Sequence, residues 1–291
     1  MRLRRISTLL ALAVVFSASL AAARTSVHAQ EALPVSEYKL ASKLMAREMP
    51  YRVMLPAEYE RAKAERFPVI YMLHGLYGHY TNWTDKTKIA AYAAKYRFII
   101  VMPEGADGWY VDSAAAPNEN YESYIVKELI PEVDKKFRTE AGRSGRFVAG
   151  LSMGGYGALK FALKYPTMFA MAGSFSGAFG TSEFTAKAGG EIGKKVDAVF
   201  GPLGSETRRS NDVFTLLDSV AEPNSLPFVY LSCGTEDPLF ASNRKVDELL
   251  LKKKIPHEYR EHPGGHDWAF WDDQAREFLA AADRFLAARK N

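Results

Sequence analysis

Beyond residue 50 the chain alternates short, unbroken apolar runs with longer stretches in which apolar positions recur every three or four residues. Arg52-Val53-Met54-Leu55 predicts an early strand. Val69-Ile70-Tyr71-Met72-Leu73 and Phe98-Ile99-Ile100-Val101-Met102 are continuously apolar, the pattern of strands buried on both faces, and Pro103 stops the second. Arg146 to Gly150, Phe169 to Phe175, Phe228 to Cys233 and His257 to His262 read as further strands. Between them lie helical stretches: Ile89 to Lys95, Tyr156 to Lys164 (ended by Pro166), Asn243 to Leu251, and Trp271 to Ala288. Tyr121, Ile125, Leu129, Val133 and Phe137 form a ladder four residues apart, predicting one long helix capped near Asn120 and kinked at Pro131. Strands alternating with helices predict a mostly parallel sheet, covered by helices on both faces and joined by right-handed crossovers.

One stretch breaks the rhythm. Ser176 to Pro227 holds short helical patches rich in Gly, Ser, Thr and charge, but no strong strand. A connection this long inside a compact domain usually has a task. It reads as a cap or lid, about residues 177–226, within a single domain spanning 30–291. No linker or internal repeat interrupts that domain.

The first residues follow another logic. Arg2, Arg4 and Arg5 precede an apolar and small-residue run from Ile6 to Ala23, and Val27-His28-Ala29 supplies small residues where a signal peptidase cuts. Residues 1–29 therefore read as a signal peptide, and the mature chain as secreted, to the periplasm or the medium. This changes the charge picture. The chain has 38 basic and 34 acidic residues. The leader holds four arginines and no acid, so 38 less 4 leaves 34 basic against 34 acidic residues. The mature chain is formally neutral, which gives no electrostatic case for nucleic acid or for stable association with an anionic membrane. The lone cysteine, Cys233, excludes an internal disulfide and reads as a small buried residue at the end of a strand.

Gly150-Leu151-Ser152-Met153-Gly154 fits G-x-S-x-G. The motif gains weight from its setting, directly after one predicted strand and before a helix, as in a nucleophile elbow. Flanking glycines let a serine occupy a strained turn, and Gly155 and Gly157 let the helix pack close to the sheet. A serine hydroxyl needs a base, and the base an orienting acid. Three histidines follow Ser152. His257 opens a strand, at the wrong end of a parallel sheet; His262 sits at that strand's end and can point into the sheet; His266, in Pro263-Gly264-Gly265-His266-Asp267, lies on a loop at the carboxyl end, where chemistry belongs. His266 is the expected base. Asp237, after the Phe228–Cys233 strand, fits best as the acid, with Glu236 the fallback. Asp267 is expected to face away as a surface charge, and Asp212 to cap a helix. Two amides must hold an oxyanion: Met153, after the nucleophile, and one from the loop His74-Gly75-Leu76-Tyr77-Gly78, with Leu76 chosen over Gly75. His74 itself reads as structural.

At these residues the chain resembles the putative-esterase family of α/β hydrolases. That family includes esterase D-like S-formylglutathione hydrolases, tributyrin-type esterases, feruloyl and acetylxylan esterases, and mycolyltransferases. The resemblance runs from about Tyr51 to the C-terminus. It rests on Leu73-His74-Gly75-Leu76-Tyr77-Gly78 with Asn82-Trp83, on Gly108-Trp109-Tyr110, Glu128-Leu129-Ile130-Pro131 and Gly150 to Ala158, on Cys233-Gly234-Thr235-Glu236-Asp237, and on Gly264-Gly265-His266-Asp267-Trp268. It implies the α/β-hydrolase fold, a triad of Ser152, Asp237 and His266, a small-molecule ester substrate, and no metal or cofactor. Trp109, Tyr110, Trp268 and Trp271 adjoin these loops, so Trp109, Tyr110 and Trp268 are expected to bind substrate. The expected activity is a carboxylesterase for short-chain or small-acyl esters. Feruloyl or acetylxylan esterase, acyl transfer of the mycolyltransferase kind, and a non-catalytic binding protein are the rival readings. Oligomeric state is not legible.

Overall fold

The computed structural model describes residues 31–289; the predicted signal peptide lies outside them. Eight strands make one sheet: β1 (Val35–Ser42), β2 (Arg47–Met54), β3 (Val69–Leu73), β4 (Ile99–Pro103), β5 (Arg146–Leu151), β6 (Met171–Phe175), β7 (Phe228–Gly234) and β8 (His257–His262). Their order is β1-β2-β4-β3-β5-β6-β7-β8. β1 pairs with β2, and β2 with β4, antiparallel; every other pair is parallel. The ten α-helices described are α1 (Asn82–Lys86), α2 (Ile89–Ala93), α3 (Tyr121–Ser123), α4 (Ile130–Lys136), α5 (Met153–Lys164), α6 (Ala186–Phe200), α7 (Glu206–Asn211), α8 (Val213–Asp218), α9 (Phe240–Lys252) and α10 (Trp268–Ala288).

The continuous apolar runs become central strands because each must fill two cores. In β3, Val69, Tyr71 and Leu73 join the core on one face, while Ile70 and Met72 join the core on the other. β4 divides likewise, Ile99 and Val101 against Ile100 and Met102. This is the two-residue period of a strand, read on both faces. Each such side chain, fully buried, contributes about 1.5–3 kcal/mol. The second core is closed by α10, whose Phe270, Trp271, Ala275, Phe278, Leu279 and Ala282 are buried in it. The edges look different. β8 is His-Glu-Tyr-Arg-Glu-His and only partly buried, and charged edges discourage pairing with another sheet.

The expected long helix is present but not uniform. Between α3 and α4 the turn Tyr124–Leu129 widens to a π-helix, and the Ile130 N–H reaches back to the Ile125 carbonyl. Pro131 is the physical reason: its ring excludes the usual bond to the residue four before it, and a wider turn absorbs the misfit.

The 177–226 segment contains no strand and carries α6, α7 and α8. It is less detached than a cap implies. Val196, Phe200, Val213 and Leu217 are buried in the first core. Asp212 caps α8 by accepting the Thr215 N–H at 2.7 Å, as expected. No helix among the described residues is long and apolar enough to cross a membrane.

Candidate active site

Sheet order decides where loops meet. From β3 the chain moves outward to β4, then returns past β3 to β5, so β3 and β5 are neighbours with helices diverging between them. Such a switch point opens a crevice at the carboxyl ends of the strands. The loop after β3 and the turn after β5 emerge there side by side, Leu73 being paired with Gly150.

Ser152 occupies that turn with φ 52° and ψ −115°, a left-handed conformation that costs a non-glycine residue about 1–3 kcal/mol. The packing that holds it is tight. A Cβ on Gly150 would lie 2.6 Å from the Gly154 carbonyl oxygen, and one on Gly154 would lie 2.5 Å from the Leu73 oxygen. The Ser152 N–H donates to the Phe175 carbonyl at 2.9 Å, and its own carbonyl accepts from Tyr156 at 2.9 Å. As the first residue of α5, Met153 has an amide with no intrahelical acceptor, set at the positive end of the helix.

The loop after β3 is fixed by its own side chains. His74 is fully buried, and its Nδ1–H donates to the Gly75 carbonyl at 2.8 Å. The Gly78 N–H donates to the same carbonyl at 3.0 Å. Because the peptide is planar and trans, holding the Gly75 C=O turns the Leu76 N–H the opposite way. Asn82 accepts the His79 N–H at 2.9 Å, and the buried Trp83 indole donates to the Leu73 carbonyl at 3.1 Å. Glu104, at the end of β4, accepts the Ala106 N–H at 2.6 Å and the Tyr80 N–H at 3.3 Å. Burial opposes its charge, but His74 and these amides hold its pKa at about 2.

His266 and Asp237 arrive from the loops after β8 and β7. His266 Nε2 is 3.0 Å from Ser152 Oγ, and His266 Nδ1 is 2.9 Å from Asp237 Oδ2. The Asp237 side chain is wholly buried and that of His266 is 28% exposed, so the pair meets solvent through the imidazole alone. Burial pushes the Asp237 pKa up, yet hydrogen bonds from His266, the Ser176 hydroxyl and the Leu239 amide bring it below the ordinary value. The Leu239 N–H lies 2.7 Å from Oδ1. Ser176 has φ 50° at the end of β6, and its hydroxyl accepts the Trp271 indole N–H at 3.3 Å. The Trp271 ring stands edge-on to His266, 4.9 Å between centroids.

A cavity of about 540 Å³ opens over Ser152, lined among others by Gly75, Leu76, Tyr77, His266, Trp268 and Trp271. Trp268 therefore sits where the sequence placed it. Trp109 and Tyr110 do not. Both are buried and absent from this wall. Trp109 packs on Tyr156 and Phe200, and the Tyr110 hydroxyl donates to the His74 carbonyl at 2.9 Å. The cause is local: both residues take left-handed φ, 53° and 54°, and the bare Gly108 lets the Tyr121 ring lie against the turn. Asp267 is a second correction. It is exposed, as a surface charge should be, but it also lines the cavity and caps α10, accepting the Phe270 N–H at 3.0 Å. Glu236 accepts the Gly264 N–H at 2.8 Å and holds the His266 loop. His257 pairs with Asp247 at 2.9 Å, far down the sheet, and His262 Nε2 is buried without a hydrogen-bond partner. Sequence reasoning missed Ser176, Tyr77 and Ile192. Only the position of Ser176, just beyond a predicted strand, could have signalled it.

Comparison with known proteins adds the following. A family model described as "Putative esterase" matches residues 42–281. The chain is 28% identical over 255 residues to an acetyl esterase of Caldicellulosiruptor saccharolyticus, covering 82% of this chain and 94% of that protein. It is 36% identical over 239 residues to an esterase of Mycobacterium tuberculosis, covering 74% of this chain and 51% of that one. The chain thus spans about half the length of the mycobacterial relative. A solved fluorophosphonate-binding serine hydrolase of Staphylococcus aureus, substrate bound, superposes with a TM-score of 0.76 at 27% identity, covering 87% of this chain and 99% of that one. The architecture is the α/β-hydrolase fold.

Proposed function

The chain belongs to the putative-esterase family of α/β hydrolases, a carboxylic ester hydrolase fold family, and on that footing we propose that it is a secreted serine carboxylesterase for short-chain or small-acyl esters. The observation that carries this reading is the unbroken relay Asp237–His266–Ser152, its serine strained at a helix start and facing the cavity. His266 Nε2 takes the Ser152 proton as Oγ attacks the ester carbonyl carbon. The Leu76 and Met153 N–H groups receive the developing oxyanion, helped by the α5 dipole. The carbon–oxygen bond to the alcohol then breaks, and His266 returns the proton to the leaving alkoxide. Water, deprotonated by the same imidazole, releases the acid and restores Ser152. Asp237 keeps Nδ1 protonated and the ring oriented, and stabilises the imidazolium.

Export rests on the pattern of residues 1–29 and is tested by N-terminal sequencing of the exported protein. The chemistry is tested by p-nitrophenyl acetate and butyrate hydrolysis and by fluorophosphonate labelling, all lost in Ser152→Ala. A wild-type protein inert to every short ester would sink the reading. The aromatic wall of Tyr77, Trp268 and Trp271 favours a second reading, an esterase for aromatic acyl groups such as ferulate, which methyl ferulate in the same panel distinguishes.

A further inference from the structure

A second cavity of about 570 Å³ lies beside the first, lined by Ala115, Ala116, Ala198, Val199 and Tyr121, with ion pairs at its rim. Residues of the two linings are in direct contact. Tyr77 and Ile192 face the Ser152 cavity; Asp107 and Lys195 face the second. These four residues touch or share a helix face. The Asp107 carboxylate accepts the Tyr77 N–H through Oδ1, at 2.8 Å, and pairs with the Lys195 ammonium through Oδ2. Lys195 Nζ also stands 4.9 Å from the centre of the Tyr77 ring. Ile192 and Lys195, three apart on α6, share one face of that helix.

We propose that the Lys195–Asp107 ion pair is a selectivity barrier between the two cavities, and that the second cavity accepts the uncharged, apolar end of an ester too long for the first. The lining specifies that occupant. The cations of the rim are matched by anions, Arg47 by Glu119 at 2.8 Å and Lys195 by Asp107, so no net charge invites an ionic group. Besides these paired charges, the lining offers small aliphatic side chains and one aromatic ring. The barrier is also weak enough to yield. The two side chains are 38% and 30% exposed, and an ion pair so wetted is worth little. Long esters therefore enter by parting it, and short ones never meet it.

The inference rests on the esterase reading, and its readout is a ratio among active proteins. Two series are run on wild type, Lys195→Ala and Asp107→Asn: p-nitrophenyl acetate against octanoate, which lengthens the acyl arm, and ethyl against octyl acetate, which lengthens the alcohol arm. Asparagine keeps an oxygen for the Tyr77 N–H while removing the charge. Both variants are expected to raise the long-to-short ratio of kcat/KM about fivefold in one series, chiefly through KM, and that series names the arm that enters. Adding Ala198→Trp, which fills the second cavity, should cancel the gain. An unchanged ratio in both series, or a gain that survives Ala198→Trp, overturns the proposal. Loss of acetate hydrolysis in the wild type would instead overturn the esterase reading.

Discussion

Two of the molecule's sheltered carboxylates, Glu122 and Asp237, each face a basic side chain, and the two pairs are built for opposite ends. Glu122 meets Lys160 and Lys164 and accepts the Tyr165 hydroxyl at 2.6 Å; the Lys160 side chain is 0% exposed. Asp237 meets His266, whose far nitrogen reaches Ser152 beneath an open cavity. In the first, burial drives the Lys160 pKa down to about 8 although Glu122 opposes this, while Lys160 and Lys164 outweigh burial at Glu122 and hold it at about 2. Every donor of the ammonium is taken: Lys160 also donates to the Tyr110 carbonyl at 2.5 Å and to Asn211 Oδ1 at 3.5 Å. In the second, one partner is left with a proton to exchange. The pairs differ less in chemistry than in access. Both hang on α5, whose first residue follows Ser152 and whose middle carries Lys160.

The comparison predicts opposite failures. Ser152→Ala, His266→Ala or Asp237→Asn should lower kcat by about 10,000-fold, with a folded protein and a near-normal urea midpoint. An Asp237→Asn variant within tenfold of wild type would break the assigned order of the relay. Glu122→Gln should do the reverse. It strands a buried ammonium and should cost about 3–5 kcal/mol in urea unfolding, while the folded fraction keeps its kcat/KM. The acid limb of stability follows with its sign. Glu122 falls from its ordinary 4.5 to about 2 on folding, so its contribution is whole above pH 4.5 and drains away as pH drops toward 2. Urea midpoints between pH 6 and pH 2.5 should show that slope in wild type and a shallower one in Glu122→Gln. Smallest, Trp271→Phe keeps the ring edge on His266 but drops the indole donor to Ser176. A loss of about two- to fivefold in kcat, with KM steady, is expected from one modest hydrogen bond.

What could be read from the sequence followed from which forces act locally. β3, β4, β5 and β7 are filled on both faces, so their runs of Val, Ile, Met and Phe announce them. β1 went unread because Val-Ser-Glu-Tyr-Lys-Leu-Ala-Ser lies at the edge, largely exposed, with pairing on one side alone. Ser152, Asp237 and His266 were legible as an ordered set because each follows a strand at the same end of the sheet, and the hydrogen bonds bring all three together. Trp109 and Tyr110 were misplaced for a related reason. Sequence shows that they adjoin a loop, but their direction is fixed by two left-handed residues and by the ring of Tyr121. The Lys195–Asp107 contact joins residues far apart in the chain, across two elements, and no local pattern encodes it.

The crossover from β6 to β7 has one more consequence, for how such a protein diversifies. These strands pair directly, Met171 with Phe228 through Phe175 with Ser232, so the sheet is complete whatever the chain does between them. Closing a loop twice as long costs only about 0.6 kcal/mol. Val196, Phe200, Val213 and Leu217 tie part of this excursion into the core, so it is on its outward face, which carries Ile192 and Lys195, that exchanges are cheap, while the relay is anchored on other loops. New substrate preferences can arise there by rewriting a few outward-facing positions, with the anchoring residues and the relay kept.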